Sequence, residues 1–238
     1  MNHSAVLNRR DFLRCSGIGL GSLIVTGGGL ATAALTQSPG QPGATPAHGP
    51  DLEIALESKE DEIQILPGKP TRVWRYQGKV VRGDAAGVRN LPGTYLGPGI
   101  QVKKGQRVRI QYANHLPEVS TVHWHGLTTP ANMNGDPHVV VQPGQSYQHE
   151  FPILDRAMTG WFHPHPHQRT GKQVYDGLTG LFLVSDDEEA AAGLRAGEFD
   201  VPLVIQDRTF DSDNQLVYLA GGITARVTGF RGDRILVN

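Results

Sequence analysis

The chain is short of cysteine, methionine and net charge, and each shortage removes a class of protein. Its single cysteine, Cys15, rules out an intrachain disulfide framework and any metal site built from several thiolates. Its three methionines, Met1, Met133 and Met158, form no Met-rich segment. Twenty-two basic against 23 acidic residues leave a net charge of −1. Electrostatics therefore give no case for nucleic acid or an anionic membrane as a partner. Gly 30 and Pro 16 make the sequence turn-rich, yet it stays below the roughly 25–30% of low-complexity chains. With 38% hydrophobic residues in 238, there is apolar material for one full domain and part of a second. What the sequence has in excess is histidine. Seven of its ten histidines lie between His123 and His167, where even scatter would place about two.

From Asp51 onward the pattern is one of short apolar runs separated by turns. Leu52–Leu56 alternates, and so does Val73–Tyr76, with a turn expected at Gln77-Gly78. Ile100–Val102 and Val108–Tyr112 read as two strands about a turn at Lys104-Gly105. Val139–Val141, Tyr147–Phe151, Trp161-Phe162 and Leu181–Val184 add further strands. Such spacing predicts an all-β sandwich or barrel. The one good helical stretch is Asp186–Leu194, with an acidic start suited to a helix N-terminus. After it, Val201–Ile205, Gln215–Leu219 and Arg234–Val237 continue in β style. These last 45 or so residues fall short of the about 100 that a sandwich typically needs. A second domain is thus expected only in part, or as a segment packed on the first.

The histidines carry the chemistry. His123-Trp124-His125-Gly126 and Phe162-His163-Pro164-His165 each place two imidazoles at i and i+2. On a strand such residues face one side, roughly 6.5–7 Å apart. One metal is awkward to share at that distance, but two neighbouring metals are natural. Two such strands side by side would bring four imidazoles to one polynuclear site. An imidazole-only donor set suits copper, zinc or iron and disfavours magnesium or calcium. Pro164 lacks a backbone donor, so its strand is expected at an edge or to be irregular. His115, His138 and His149 stand singly and read as structural or surface residues, while His167 extends the second pair by one further step.

Residues 1–34 read as an address. Asn8–Arg14 (NRRDFLR) resembles a twin-arginine translocation signal, followed by an uncharged, Gly-rich apolar stretch from Ile18 to Leu35 and small residues at Ala31–Ala33. The resemblance implies export by the twin-arginine translocase to the periplasm or beyond, with Cys15 lost from the mature chain. Residues 35–50 form a Pro/Gly linker.

His123–Gly126 (HWHG), His163–His167 (HPHPH) and Gly177–Leu181 (GLTGL) together resemble the first cupredoxin domain of multicopper oxidases, the group of laccases, bilirubin oxidases and cuprous oxidases. Leu96–Ile100, Pro130–Pro137 and Val141–Gly144 agree with that family's loop and strand order. Leu203–Phe210 (LVIQDRTF) resembles the entry strand of its second domain. The implied fold is a cupredoxin-like Greek-key β-sandwich over 51–188. Residues 189–238 would then be a linker and the truncated start of a second cupredoxin domain.

The resemblance implies an oxidase that couples one-electron substrate oxidation to reduction of O2 to water. His123 would ligate a type 2 copper; His125, His163 and His165 would ligate a type 3 pair. Trp124 and Phe162 would pack around them. The type 1 copper that accepts electrons needs a Cys thiolate with two histidines, which the family takes from its last domain. This chain alone is therefore expected to lack that site, and to hold half a trinuclear cluster that a C-terminal cupredoxin domain completes. An acidic residue that assists proton delivery is common in the family where Asn134 stands; an amide carries no proton at ordinary pH, and Asp136 offers a substitute. Gln168-Arg169 replaces the family's usual Gly-Lys, as a surface variation. Two alternatives are a small exported copper-binding protein, and a non-enzymatic envelope protein on the same fold, a kind that has usually lost the copper ligands. A zinc hydrolase would need strand–helix alternation, which the sequence lacks.

Overall fold

The computed structural model describes residues 49–91, 93–193 and 199–238. The expected signal over 1–34 and most of the linker lie outside these residues.

Two sheets form a sandwich. One has the order β2-β1-β5-β7, built from β1 (Leu52–Ile63), β2 (Thr71–Arg82), β5 (Arg107–Asn114) and β7 (Ser146–Pro152). The other has the order β3-β4-β9-β8-β6, built from β3 (Val88–Arg89), β4 (Gly99–Lys103), β9 (Gly180–Ser185), β8 (Met158–His163) and β6 (His123–His125). The chain passes between sheets at β2–β3, β4–β5, β5–β6, β6–β7 and β7–β8, so within the sandwich only β1–β2, β3–β4 and β8–β9 pair as neighbours in sequence. This is the all-β sandwich expected of the strand spacing.

Alternation along each strand builds the core. Leu52, Ile54 and Leu56 of β1 point inward, as do Val108, Ile110 and Tyr112 of β5, and Phe151 of β7. The other sheet contributes Ile100, Trp124, Phe162 and Phe182. Trp124 lies 5.6 Å from Phe162 and 5.8 Å from both Phe151 and Phe182, ring centre to ring centre. At the roughly 25 cal/mol per Å² typical of apolar burial, this aromatic layer is a main source of cohesion between the sheets.

Several local expectations are corrected. The chain does not turn at Gln77-Gly78: β2 runs straight through, and Gly78 faces Leu56 of β1. A side chain at Gly78 would press within 3.2–3.3 Å of Pro98 and Val88, so this glycine serves close approach. The turn at Lys104-Gly105 exists, with Gly105 at φ +91°, but it sends β4 and β5 into different sheets. Val139–Val141 makes only an isolated bridge, Val141 to Ser120. Gln215–Leu219 likewise reduces to a bridge, Phe210 to Leu216. The expected helix forms over α2 (Asp187–Ala191), with Asp186 capping Glu189 N at 2.8 Å. Helices α1 (Thr170–Tyr175) and α3 (Gly222–Thr228) were not legible from periodicity, being under two or barely two turns long.

The terminal segment is a two-stranded ribbon of β10 (Ile205–Arg208) and β11 (Arg234–Val237). It is anchored on the sandwich. Thr71 Oγ1 donates to Asn214 O at 2.8 Å, Tyr175 OH donates to Val217 O at 3.0 Å, and the Arg208 guanidinium lies 4.7 Å over the Tyr175 ring.

Gly180 is the cross-strand partner of Phe162, and a Cβ there would overlap the Phe162 ring and approach Pro98 O to 2.8 Å. Gly180→Ala should therefore lower unfolding stability by about 1–3 kcal/mol, the usual cost of overpacking. An unchanged urea midpoint would contradict this packing.

Candidate metal centre

Strand pairing assembles the histidines. β6 and β8 run antiparallel in a register that sets His123 opposite His163, Trp124 opposite Phe162 and His125 opposite Trp161. Side-chain alternation then sorts them. Trp124 and Phe162 are fully buried between the sheets, while His123, His125, Trp161 and His163 emerge on the outer face of the five-stranded sheet. Trp124 and Phe162 thus support the cluster from beneath. The expectation that they pack around it is corrected by the two-residue period of the strands.

His165 arrives differently. β8 is an interior strand, flanked by β9 and β6, and it ends at His163. Pro164 terminates the strand; it does not occupy an edge, and β6 is the edge. The His165 ring is brought in by a loop whose backbone is tied at His165 N to Thr121 Oγ1, 2.9 Å away.

The four rings converge. From His123, ring centres lie 5.5 Å to His125, 5.2 Å to His163 and 5.2 Å to His165. His125 to His163 is 5.3 Å, and His163 to His165 is 5.8 Å. One ligand nitrogen each from His123, His125 and His163 lies within 4.8 Å of the others, and His125 Nδ1 is 3.1 Å from His163 Nε2. With metal–nitrogen bonds of about 2.0–2.1 Å, that spacing admits a metal ion between these rings with small side-chain rotations.

Tautomers are set by backbone carbonyls. His123 Nδ1 lies 2.9 Å from Asn134 O, and His163 Nδ1 lies 2.8 Å from Pro164 O. A carbonyl only accepts, so both rings donate at Nδ1 and keep a lone pair on Nε2, which in His163 faces His125 Nδ1. Burial pushes the His163 imidazole down to about 4, opposed by its bond to Pro164 O and aided by the neighbouring imidazoles. Burial also lowers His123, opposed by its bond to Asn134 O. Both rings are held neutral at pH 7, the form a metal requires.

Trp161 is a residue that the sequence reading passed over. Its ring stacks on His163 at 4.2 Å and lies 5.0 Å from His125. Its position two residues before His163 is the signal that would have found it. His167 is exposed and outside the cluster, as are His115 and His138. His149 is buried within β7 beneath Trp124.

The loop after β6 shapes the rim. Asn134 contributes its main-chain oxygen to His123, while its side chain donates to Asp136 Oδ1 at 2.9 Å and accepts from Thr129 Oγ1 at 3.0 Å. Gly135 sits at φ +74°, and a Cβ there would overlap the Val122 carbonyl. Only glycine lets the loop close this tightly on β6.

A mixed β-sandwich presenting four converging imidazoles, two with fixed tautomers, defines an imidazole-only candidate metal site. The comparisons agree. The family model described as multicopper oxidase matches residues 74–189. The chain is 39% identical over 157 residues to multicopper oxidase mco of Staphylococcus aureus, covering 66% of this chain and 34% of that protein. It is 32% identical over 234 residues to cell division protein FtsP of Escherichia coli, covering 98% of this chain and 45% of that protein. Among solved structures, the McoA multicopper oxidase of Aquifex aeolicus matches with TM-score 0.66 at 36% identity, over 80% of this chain and 39% of that one. A laccase from Pediococcus acidilactici matches with TM-score 0.65 at 34% identity, over 78% and 37%. The chain belongs to the multicopper oxidase family, and its sandwich is cupredoxin-like. It spans between a third and a half of the length of the curated relatives just described.

The His163 environment fixes a sign for stability. Its folded pKa lies below the free value of 6.5, so the unfolded chain binds more protons between these limits. The contribution is full above pH 6.5 and is lost as pH falls towards about 4. His163→Gln should flatten the decline in unfolding free energy between pH 6.5 and 4. Equal pH slopes for both proteins in urea titrations would refute the assignment.

Proposed function

We propose that this chain is the N-terminal portion of an exported copper-dependent oxidase and supplies half the ligands of a trinuclear copper cluster. The observation that carries the reading is the β6–β8 register, which sets His123 opposite His163. His123 serves the type 2 copper, and His125, His163 and His165 serve the type 3 pair. Bound copper supplies the one-electron chemistry by which O2 is reduced to water at the expense of a reducing substrate. The chain's own part is to hold and orient. Asn134 O and Pro164 O keep the His123 and His163 lone pairs aimed outward, and Trp161 braces two rings by stacking. Asp136, held by the Asn134 amide, is the acidic group assigned to proton delivery. Residues 51–188 act as the first cupredoxin domain and 189–238 as a linker and the start of a second. Electron entry through a thiolate-ligated copper, and the remaining histidines, belong to a C-terminal cupredoxin domain. Residues 1–34 direct export through the twin-arginine route.

A second reading is a non-enzymatic envelope protein, favoured by the FtsP match across 98% of the chain. The four retained imidazoles weigh against it, and copper binding separates the two.

The purified mature chain, without residues 1–34 and Cys15, should bind Cu(II) through its paired histidines, without intense blue colour, because such absorption needs a Cu–thiolate bond. His163→Ala with His165→Ala should remove most of this copper while the fold persists, since both rings lie outside the core. Calorimetric titration and the electron spin resonance of bound Cu(II) check this. Unchanged stoichiometry and affinity in the double variant would place the metal elsewhere and sink the reading. An intensely blue loaded chain would do the same to the missing type 1 site.

A further inference from the structure

Among the described residues, His149 is the one buried histidine that the cluster does not use. It belongs to β7 in the four-stranded sheet, yet its ring reaches across the core to the other sheet. Trp124 Nε1 approaches His149 Nδ1 at 3.2 Å, and the same Nδ1 lies 2.9 Å from Met133 O. A neutral imidazole nitrogen serves one of these contacts at a time: an Nδ1–H suits the carbonyl, an Nδ1 lone pair suits the indole. In either tautomer His149 Nε2 is buried without a partner. A phenylalanine or leucine would fill the same space without leaving a polar atom stranded, and such groups in a native core call for an explanation.

The explanation lies in what the ring joins. Met133 ends the short 3₁₀ turn Ala131–Met133, and the next residue is Asn134. Asn134 O receives His123 Nδ1 at 2.9 Å and Trp124 N at 3.4 Å. The same turn is gripped by its neighbours on β7: Tyr147 OH donates to Asn132 O at 2.7 Å, and Glu150 N points at Met133 Sδ at 3.4 Å. We infer that His149 is a positioning residue: packed edge-on against the Trp124 ring at 5.2 Å, it holds the Met133 carbonyl through Nδ1–H, so that the Asn134 carbonyl stays where it fixes the His123 ring. The inference rests on the reading of His123 as a copper ligand. His163 supplies an internal control, because its Nδ1 partner, Pro164 O, is outside this network.

The test compares His149→Phe and His149→Gln in the full chain without metal at neutral pH. Phenylalanine keeps a ring in place and deletes the bond to Met133 O. Glutamine carries an acceptor for the indole and a donor for the carbonyl at once. Long-range ¹H–¹⁵N correlation spectra read each imidazole tautomer. Wild type should show a single Nδ1–H form at both His123 and His163. His149→Phe should lose the single form at His123 and keep it at His163, and His149→Gln should restore it. Cu(II) affinity of the Phe variant should fall by about 10-fold or more, the usual effect of disturbing a group that orients a ligand. If the Phe variant does not fold, His149→Leu makes the same deletion with a smaller side chain. An undisturbed His123, joint loss at His123 and His163, or a Gln variant that behaves like Phe would each overturn the inference. A wild-type chain that binds no copper while His123 responds as expected would instead sink the metal reading and leave the positioning role standing.

Discussion

Three residue pairs between β6 and β8 govern what each face of the sheet can do. The register puts Trp124 opposite Phe162 on the core side and His123 opposite His163 on the outer side. A slip of one residue would exchange the faces, burying imidazoles between the sheets and exposing the aromatic layer. The large apolar area of Trp124 and Phe162 therefore specifies the position of the histidines, although neither aromatic touches the outer face. Gly180, beneath the Phe162 ring, makes the register still more selective, since that ring needs a neighbour without a side chain.

Electrostatics reinforce this placement. Water is removed from His163 by Trp161 on one side and the other imidazoles on the other, and the neutral ring is favoured by that loss. The two backbone carbonyls work in the opposite direction, each stabilising a protonated Nδ1. The balance leaves rings that are uncharged yet polarised, with Nδ1 committed to a carbonyl and a lone pair kept on Nε2. Such a site is prepared for a cation before one arrives, and the cost of orienting the ligands is carried by the fold.

Much of this was legible in the sequence, and the remainder was hidden for physical reasons. The paired His-x-His motifs pointed to one cluster because i, i+2 spacing on strands leaves little freedom. The strand pattern indicated the sandwich because Leu52–Leu56 and Val108–Tyr112 alternate cleanly. Sheet membership was not legible: β4 and β5 look like a hairpin in sequence, and only tertiary packing sends them apart. Gly78 looked like a turn because the need for close approach to Pro98 and Val88 leaves no local trace. Trp161 was visible in principle, by the same alternation that found His163. His149 was not, because its role depends on a turn that meets it across the core.

The alternation that separates histidines from core also bears on how such a chain can change over generations. Substitutions on the outer face of β6 and β8 act on the histidine cluster, and those on the inner face act on folding, so the two properties can drift apart. A lineage can lose the imidazole cluster and keep a well-packed scaffold for other uses. A chain similar both to multicopper oxidases and to a protein named for cell division shows the kind of divergence such a two-faced strand pair permits.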